Sequence, residues 1–376
     1  MLRGEDGKNM SKEGAKPRID ELFARMASLQ ASDLHLKGGS PPIFRIDGQL
    51  RRAKSGALSS SQVEALLTDW LGADRVKDLR RIGNLDLGHD FAGGRARVAL
   101  FVQRGQISLA ARLVKTTIPT LEELNLPPAL ARITEFNVGL VLICGITGAG
   151  KSTTLACLLE MINRKEGRHI LTFEDPIEYL HHDELSIINQ REYGLDFRQW
   201  VDAISAGVRA DPDIMLIGEM RDQATFQLCL SAAETGHLVL STLHTSSAPA
   251  TIGRMLEFYP AAEHKLVREA LGFNLKAVAC QMLVPSFREG VGRAPAMEIM
   301  YVNAPIKKAI VEGKDAKIGD LILDGEKEGM QSWTTSFVNL IKADLVEKKI
   351  ARQYAPNKDA LDLALKGIRL STSTLD

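Results

Sequence analysis

The segment GITGAGKS at residues 145–152 constrains the fold of this chain more than any other part of the sequence. It follows the apolar run at 140–144 and precedes a segment with helical periodicity. Glycines at this spacing let the backbone curl so that successive N–H groups face a phosphate chain. The start of a helix adds partial positive charge at the same place. The pattern therefore predicts a phosphate-binding loop between a buried strand and a helix.

The residue types in this loop predict how it holds a nucleotide. Lys151 would reach the β- and γ-phosphates, and the Ser152 hydroxyl would bind Mg²⁺. A glycine-rich turn that matches by chance is the alternative, and the flanking strand and helix argue against it. ATP and Mg²⁺ are the predicted ligands. The predicted nucleotide-binding residues are Gly145, Thr147, Gly148, Ala149, Gly150, Lys151, Ser152 and Thr153.

A second group of acids ends the next apolar run, HILTFEDPIE at residues 169–178. Glu174, Asp175 and Glu178 follow a predicted strand, and ligands bind at the carboxyl ends of parallel strands. One of these carboxylates would orient or deprotonate the attacking water. The alternative is a capped turn, in which Asp175 precedes Pro176 at the start of a helix.

A third strand, at 214–217, ends on a glycine and Glu219 in the pattern of a Walker-B motif. Its carboxylate would hold Mg²⁺ or the water shell of the ion. The usual Walker-B acid is Asp, so the roles of metal ligand and of base both stay open for Glu219. Arg221 would contact phosphate or a neighbouring subunit, or form a surface ion pair with Asp222.

A fourth strand delivers His244 and Thr245 to the same edge of the predicted sheet. A histidine at a strand end is often structural. Coming fourth in a series of strands and helices, His244 would sense the γ-phosphate by hydrogen bonding. The pair His181-His182 lacks metal-ligand spacing, and we predict that it is solvated.

The chain has 376 residues, which is too long for one compact core and predicts two domains. We expect a disordered tail over 1–18 and an α+β domain of helices and antiparallel strands over 19–115. A proline-rich linker follows over 116–128. Short apolar strands that alternate with helices predict a doubly covered parallel sheet in an α/β domain over 129–376, mostly helical beyond about residue 248.

Composition excludes several classes of function. Lys+Arg and Asp+Glu are both 47 and aromatics are 5%, which argues against a nucleic-acid-binding protein. The four cysteines show no C-x-x-C spacing, so we expect neither a disulfide framework nor a zinc site. The N-terminus lacks the pattern of a signal peptide, and no apolar run approaches the ~20 residues that cross a bilayer. We predict a cytoplasmic protein that reaches the membrane through a partner.

Four boxes together resemble the secretion ATPase superfamily: GITGAGKS, LTFEDPIEY, DPDIMLIGEMRD and TGHLVLSTLHT. More narrowly, the chain resembles the type IV pilus retraction ATPases, the PilT/PilU twitching-motility proteins, over about residues 19–350. The resemblance implies a PAS-like N-terminal domain, a RecA-like ATPase domain and a hexameric ring with ATP sites shared between subunits. It also implies ATP-driven pilus retraction and twitching motility. We predict that domain rotation about the linker is the power stroke.

The resemblance also implies roles for individual residues. Glu178 would activate the water and Glu219 would be the Walker-B acid, so both are predicted catalytic residues. His237 and His244 would form the histidine box.

Arg97 and Arg112, on predicted strands of the N-terminal domain, match arginines that reach the nucleotide in this family. Their spacing is compatible with two cations that face a phosphate, and surface ion pairs are the alternative.

The implied partners are further copies of the chain in a homo-hexamer, an inner-membrane pilus platform protein and a paralogous retraction ATPase. The protein would be peripheral at the inner membrane. A pilus assembly or type II secretion ATPase is the alternative, and a nucleic-acid translocase is less favoured. The segment APIKKAIVEG at 304–313 departs from the family's retraction signature, which has alanine-isoleucine-arginine there.

Overall fold

The computed structural model describes residues 18–46, 48–114 and 117–368. The chain divides into two units, one up to residue 116 and one from residue 117. Residues 1–17 of the predicted tail and the predicted boundary at 115–116 lie outside the described residues. Residues 369–376 of the predicted ATPase domain lie outside them as well. The domain limits given above therefore stay predictions.

The first unit combines antiparallel strands with helices. Its helices are α1 (Ile19–Ser28), α2 (Ser60–Leu71) and α3 (Ala73–Ile82). Its strands are β1 (Asp33–Leu36), β2 (Ile43–Ile46), β3 (Gln49–Arg52), β4 (Asn84–Phe91), β5 (Gly94–Gln103) and β6 (Gln106–Leu113). They form a sheet in the order β3-β2-β1-β6-β5-β4.

Alternation along these strands separates a buried face from an exposed one. Leu34, Val98 and Leu109 are buried and belong to the same core cluster as Phe23 of α1. Because successive side chains along a strand point to opposite faces, the residues next to these in each strand lie on the other face. Arg97 is among these, and its side chain is exposed.

The second unit is built on a sheet that is parallel except at one edge. Its strands are β7 (Gly139–Cys144), β8 (His169–Glu174), β9 (Ile187–Glu192), β10 (Ile214–Ile217), β11 (Leu238–Leu243), β12 (Leu275–Pro285) and β13 (Arg293–Tyr301). The order is β13-β12-β7-β11-β10-β8-β9, and β13 runs antiparallel to β12. Every residue of β7, β10 and β11 is buried, as expected for parallel strands covered on both faces.

Helices connect and cover these strands. They are α4 (Lys151–Lys165), α5 (Trp200–Val208), α6 (Gln223–Glu234), α7 (Ala248–Leu256), α8 (His264–Asn274), α9 (Ala304–Val311), α10 (Ile318–Asp324), α11 (Trp333–Lys342), α12 (Lys348–Tyr354) and α13 (Lys358–Ala364). Short 3₁₀ helices occupy Pro128–Glu135, Ala261–Glu263, Asp315–Lys317 and Gly325–Glu328. In the part of the chain that the structure describes, no helix is long and apolar enough to cross a membrane.

In the second unit, strands β9, β12 and β13 are absent from the sequence-based prediction. The region beyond residue 248 is mostly helical, as predicted, but β12 and β13 interrupt it. Most residues of both strands are buried, so their sequences lack the alternation that marks a half-exposed strand. Their position matters because β12 lies directly beside β7, the strand that leads into the phosphate-binding loop.

Candidate nucleotide-binding site

A cavity of about 510 Å³ opens at the carboxyl ends of the parallel strands of the second unit. This volume is in the range of small-molecule binding sites. Its walls come from the predicted loop, the acidic box, the Walker-B segment and the end of β11. The lining residues include Thr147, Gly148, Ala149, Gly150, Lys151, Ser152, Thr153, Glu174, Asp175, Glu178, Glu219, Arg221 and His244. The structure therefore brings together most of the residues predicted from the four boxes.

The predicted loop joins β7 directly to α4, which begins at Lys151. The Lys151 Nζ donates to the carbonyl oxygens of Gly145 at 2.7 Å and Ile146 at 3.3 Å. Burial lowers the pKa of Lys151, and the negative charge of Glu219 acts in the opposite direction. Ser152 is exposed at the first turn of α4, where its hydroxyl is accessible to a ligand.

Gln281 of β12 packs behind the loop, and nothing in the sequence pattern marked it. Its Oε1 accepts a buried hydrogen bond of 2.7 Å from the Thr154 hydroxyl of α4. Gly145 has φ +146°, and a Cβ there would overlap the carbonyl oxygen of Gln281. A Cβ on Gly150, where φ is +91°, would lie 2.9 Å from the Gln281 Nε2. Glycine is therefore required at both ends of the loop by torsion angle and by space.

The acidic box lies beside the loop. Glu174 is the last residue of β8, and its Oε1 accepts from the Thr172 hydroxyl at 2.7 Å and Gln190 Nε2 at 3.0 Å. Burial raises the pKa of Glu174 to about 7, against these hydrogen bonds, which lower it. The Glu178 side chain is exposed and lines the cavity, which suits a group that contacts water.

Ion pairs connect the other boxes. The Glu219 Oε1 lies 3.1 Å from His244 Nε2, and its Oε2 accepts from Arg221 Nε at 2.9 Å. Arg221 also pairs with Asp175 at 3.5 Å. The ion pair considered between Arg221 and Asp222 is not what the structure shows, because Asp222 instead caps α6 by accepting from the Thr225 N–H. Ion pairs thus link Glu219 to His244 and, through Arg221, to Asp175 of the acidic box.

Two histidines are placed differently from what the sequence suggested. His237 precedes β11 whereas His244 follows it, so the two lie at opposite edges of the sheet, about 20 Å apart for a strand of this length. The His237 Nδ1 is 2.9 Å from the Ala232 carbonyl oxygen at that other edge. The prediction of a solvated pair is wrong for His181, whose side chain is 3% exposed and lies 3.2 Å from Glu160.

Arg97 and Arg112 lie in the first unit as direct neighbours on β5 and β6. Both side chains are exposed, and like charges directly opposite each other repel. Asp33 on β1 offsets this repulsion, since its Oδ1 accepts from Arg112 Nε at 2.9 Å. Asp33 also pairs with Arg45 at 3.5 Å. Burial raises the pKa of Asp33, but hydrogen bonds from Ser32 and Arg112 outweigh it and hold that pKa below its usual value. The two arginines therefore lie side by side on one face of this sheet, with Asp33 paired to Arg112.

Comparison with known proteins places this chain in a family. Residues 110–317 match the family described as Type II/IV secretion system protein, which covers more than half of the chain. A Pseudomonas aeruginosa protein described as the type IV pilus retraction ATPase PilT is 40% identical over 338 residues, 90% of this chain and 98% of that one. The chain belongs to the type II/IV secretion system protein family.

Other relatives extend the match. The type IV pilus ATPase PilU of Pseudomonas aeruginosa is 33% identical over 350 residues, which are 93% of this chain and 91% of that one. A crystal structure of the pilus retraction motor PilT with bound ADP has a TM-score of 0.84 at 35% identity. It covers 92% of this chain and 99% of that one. These matches confirm the predicted family, the predicted fold class and the prediction that this family member is an ATPase.

Proposed function

We propose that this chain is a motor that hydrolyses ATP to retract type IV pili and so drives twitching motility. The observation that supports this most is the cavity in which the phosphate-binding loop, the acidic box and Glu219 meet. The match to nearly the full length of PilT supports retraction as the work that hydrolysis performs.

Five of the residues that line the cavity have a role in this proposal. Lys151 exchanges its contacts with the loop carbonyls for the β- and γ-phosphates. Glu178, exposed at the cavity wall, accepts a proton from the attacking water. Glu219 and Ser152 offer carboxylate and hydroxyl oxygens, which are the ligand types that Mg²⁺ prefers, so they would hold the ion. When bound, Mg²⁺ would neutralise part of the negative charge on the phosphates. His244, paired with Glu219, would sense the γ-phosphate by hydrogen bonding.

We further propose that the chain acts as a homo-hexamer in the cytoplasm, docked on an inner-membrane platform protein and working with a paralogous retraction ATPase. Arg97 and Arg112 would reach a nucleotide held by a neighbouring subunit. Their placement side by side supports this, because two adjacent cations suit a polyphosphate.

Hydrolysis by purified protein tests the chemical part of the proposal. Phosphate release from MgATP should be lost in Lys151→Ala, Glu178→Ala and Glu219→Ala. Glu184→Ala is the matched control, since this exposed carboxylate does not line the cavity. Hydrolysis that survives all three cavity substitutions would contradict the mechanism.

A deletion strain tests the mechanical part. Loss of twitching with pili still present on the cell surface is the expected result for a retraction motor. Loss of the pili themselves would indicate the alternative, an assembly ATPase.

A further inference from the structure

Glu298 is a buried carboxyl group that the proposed mechanism does not use. It lies on β13 with 7% of its surface exposed, and it is not among the residues that line the cavity. Removing a carboxylate from water is costly, and an apolar side chain of similar size would be cheaper in a core. Stability alone therefore does not account for an acid at this position.

Its hydrogen bond reaches the start of α7. The Glu298 Oε2 accepts from the backbone N–H of Ala248, the first residue of that helix, at 2.7 Å. The ordinary cap of the helix is already present, because the Ser247 hydroxyl accepts from the Ala250 N–H. Glu298 thus adds a second tie, which comes from a strand rather than from the helix itself. Burial raises the pKa of Glu298 to about 7, and the Ala248 N–H acts in the opposite direction.

The loop that leads into α7 carries His244, the histidine that lines the cavity. Strand β11 stops at Leu243, and residues 244–247 connect it to α7. His244 in this loop lies 3.1 Å from Glu219. Thr245 is held by Thr251 of α7 through a hydroxyl contact of 2.7 Å. The position of His244 therefore depends on where the first turn of α7 is fixed.

The sheet register places Glu298 in the same row as the last residues of β7 and β11. Glu298 is opposite Cys280 on β12, and Cys280 is opposite Cys144 on β7. Cys144 is in turn opposite Leu243 on β11. The residues after Cys144 and Leu243 begin the phosphate-binding loop and the histidine loop. A tie from this row to α7 therefore fixes the histidine loop relative to the phosphate-binding loop.

We propose that Glu298 is a positioning residue for hydrolysis, which anchors the N-terminus of α7 to β13 and thereby holds His244 against Glu219. This inference rests on the proposed ATPase function. Glu298 acts through the helix and contacts no part of the nucleotide site. Its loss should lower the rate of the chemical step and leave nucleotide affinity unchanged, because the phosphate-binding loop has its own supports in Thr154 and Gln281.

A matched pair of variants separates the hydrogen bond from the packing. Glu298→Met keeps the approximate volume and removes the acceptor, whereas Glu298→Gln keeps both. We expect Glu298→Met to lower kcat by ~10–100-fold, since small displacements of catalytic groups have effects of this size. Glu298→Gln should stay within about threefold of wild type, because its amide oxygen still accepts from the Ala248 N–H. The dissociation constant for a fluorescent ADP analogue should stay within about twofold in both.

Ser336→Ala is the control for loss of a buried bond on the same strand. The Ser336 hydroxyl accepts from the Met297 N–H at 2.8 Å, next to Glu298 but without a link to the histidine loop. It should lower thermal stability and leave kcat unchanged at a temperature where the protein is folded. A second control introduces Glu298→Met into the His244→Ala protein. If Glu298 acts through His244, Glu298→Met should have no further effect on the residual kcat of that protein.

The outcomes separate this inference from the proposed function. A wild-type protein that hydrolyses ATP, with equal kcat in Glu298→Met, overturns the positioning role alone. Equal losses in Glu298→Met and Ser336→Ala, or an undiminished loss in the His244→Ala background, also overturn it. A wild-type protein without hydrolysis overturns the proposed function, and the positioning role falls with it.

Discussion

Replacing Glu298 by Gln should change how the stability of the ATPase unit depends on pH. The carboxyl has a pKa of about 7 when folded, against 4.5 for a free glutamate. Its folded state therefore binds a proton more tightly than its unfolded state does. The stability gained in this way is fully present below pH 4.5 and is lost as pH rises through 7.

The size of the effect follows from the two pKa values. Each pH unit between them is worth about 1.4 kcal/mol in the free energy of unfolding. Between about pH 5.5 and about pH 8.5, the wild type should lose about 2 kcal/mol through this carboxyl alone. Glu298→Gln cannot take up the proton and lacks this pH dependence. The unfolding free energy of the wild type minus that of the variant should therefore fall by this amount as pH rises across the range.

Urea denaturation at several pH values measures this difference. Trp200 and Trp333 report on the ATPase unit, and Trp70→Phe in every variant removes the signal from the first unit. Glu184→Gln is the control for the same substitution at an exposed carboxylate. A flat difference for Glu298→Gln, or one that grows in favour of the wild type as pH rises, would refute the raised pKa of this buried carboxyl.

Other substitutions test the site. Gly150→Ala should weaken ADP binding at least ~10-fold in calorimetry, because its Cβ would crowd Gln281 in a left-handed conformation. Thr154→Val should cost about 1–3 kcal/mol in urea denaturation, because it leaves the buried Gln281 oxygen without its donor; full stability would contradict this. Glu219→Gln should lower kcat by ~100-fold with ADP affinity retained. Arg112→Ala should lower kcat without loss of ADP binding by the isolated subunit, and an unchanged kcat would favour a structural ion pair.

The parts of the site that sequence could predict are those where strand ends and motifs coincide. Glu174, Glu219 and His244 each follow a short apolar run, and the structure places all of them at one edge of a parallel sheet. Parallel connectivity carries this information, because every strand in such a sheet ends on the same side. The same rule separates His237 from the cavity, since that residue stands at the start of its strand.

Residues that support the site from behind could not be predicted in this way. The bond from Thr154 to Gln281 spans 127 positions in the sequence, and the bond from Ala248 to Glu298 spans 50. In each bond one partner, Gln281 or Glu298, lies on β12 or β13, whose buried sequences carry no strand periodicity. A polar residue within an apolar run, such as Glu298 in PAMEIM, is the local signal that could have drawn notice.

The contact between Gln281 and the phosphate-binding loop limits how this domain can vary. Gly145 and Gly150 leave room for the backbone and the side-chain amide of Gln281, so the loop and β12 are packed in direct contact. A change of β12 is therefore also a change of the loop, although the two are far apart in the sequence. Chimeras between relatives that exchange the β12–β13 pair without the matching α4 should lose nucleotide binding before they lose their fold. For protein engineering, the smallest unit that can be transferred intact is the strand pair together with the loop that rests against it.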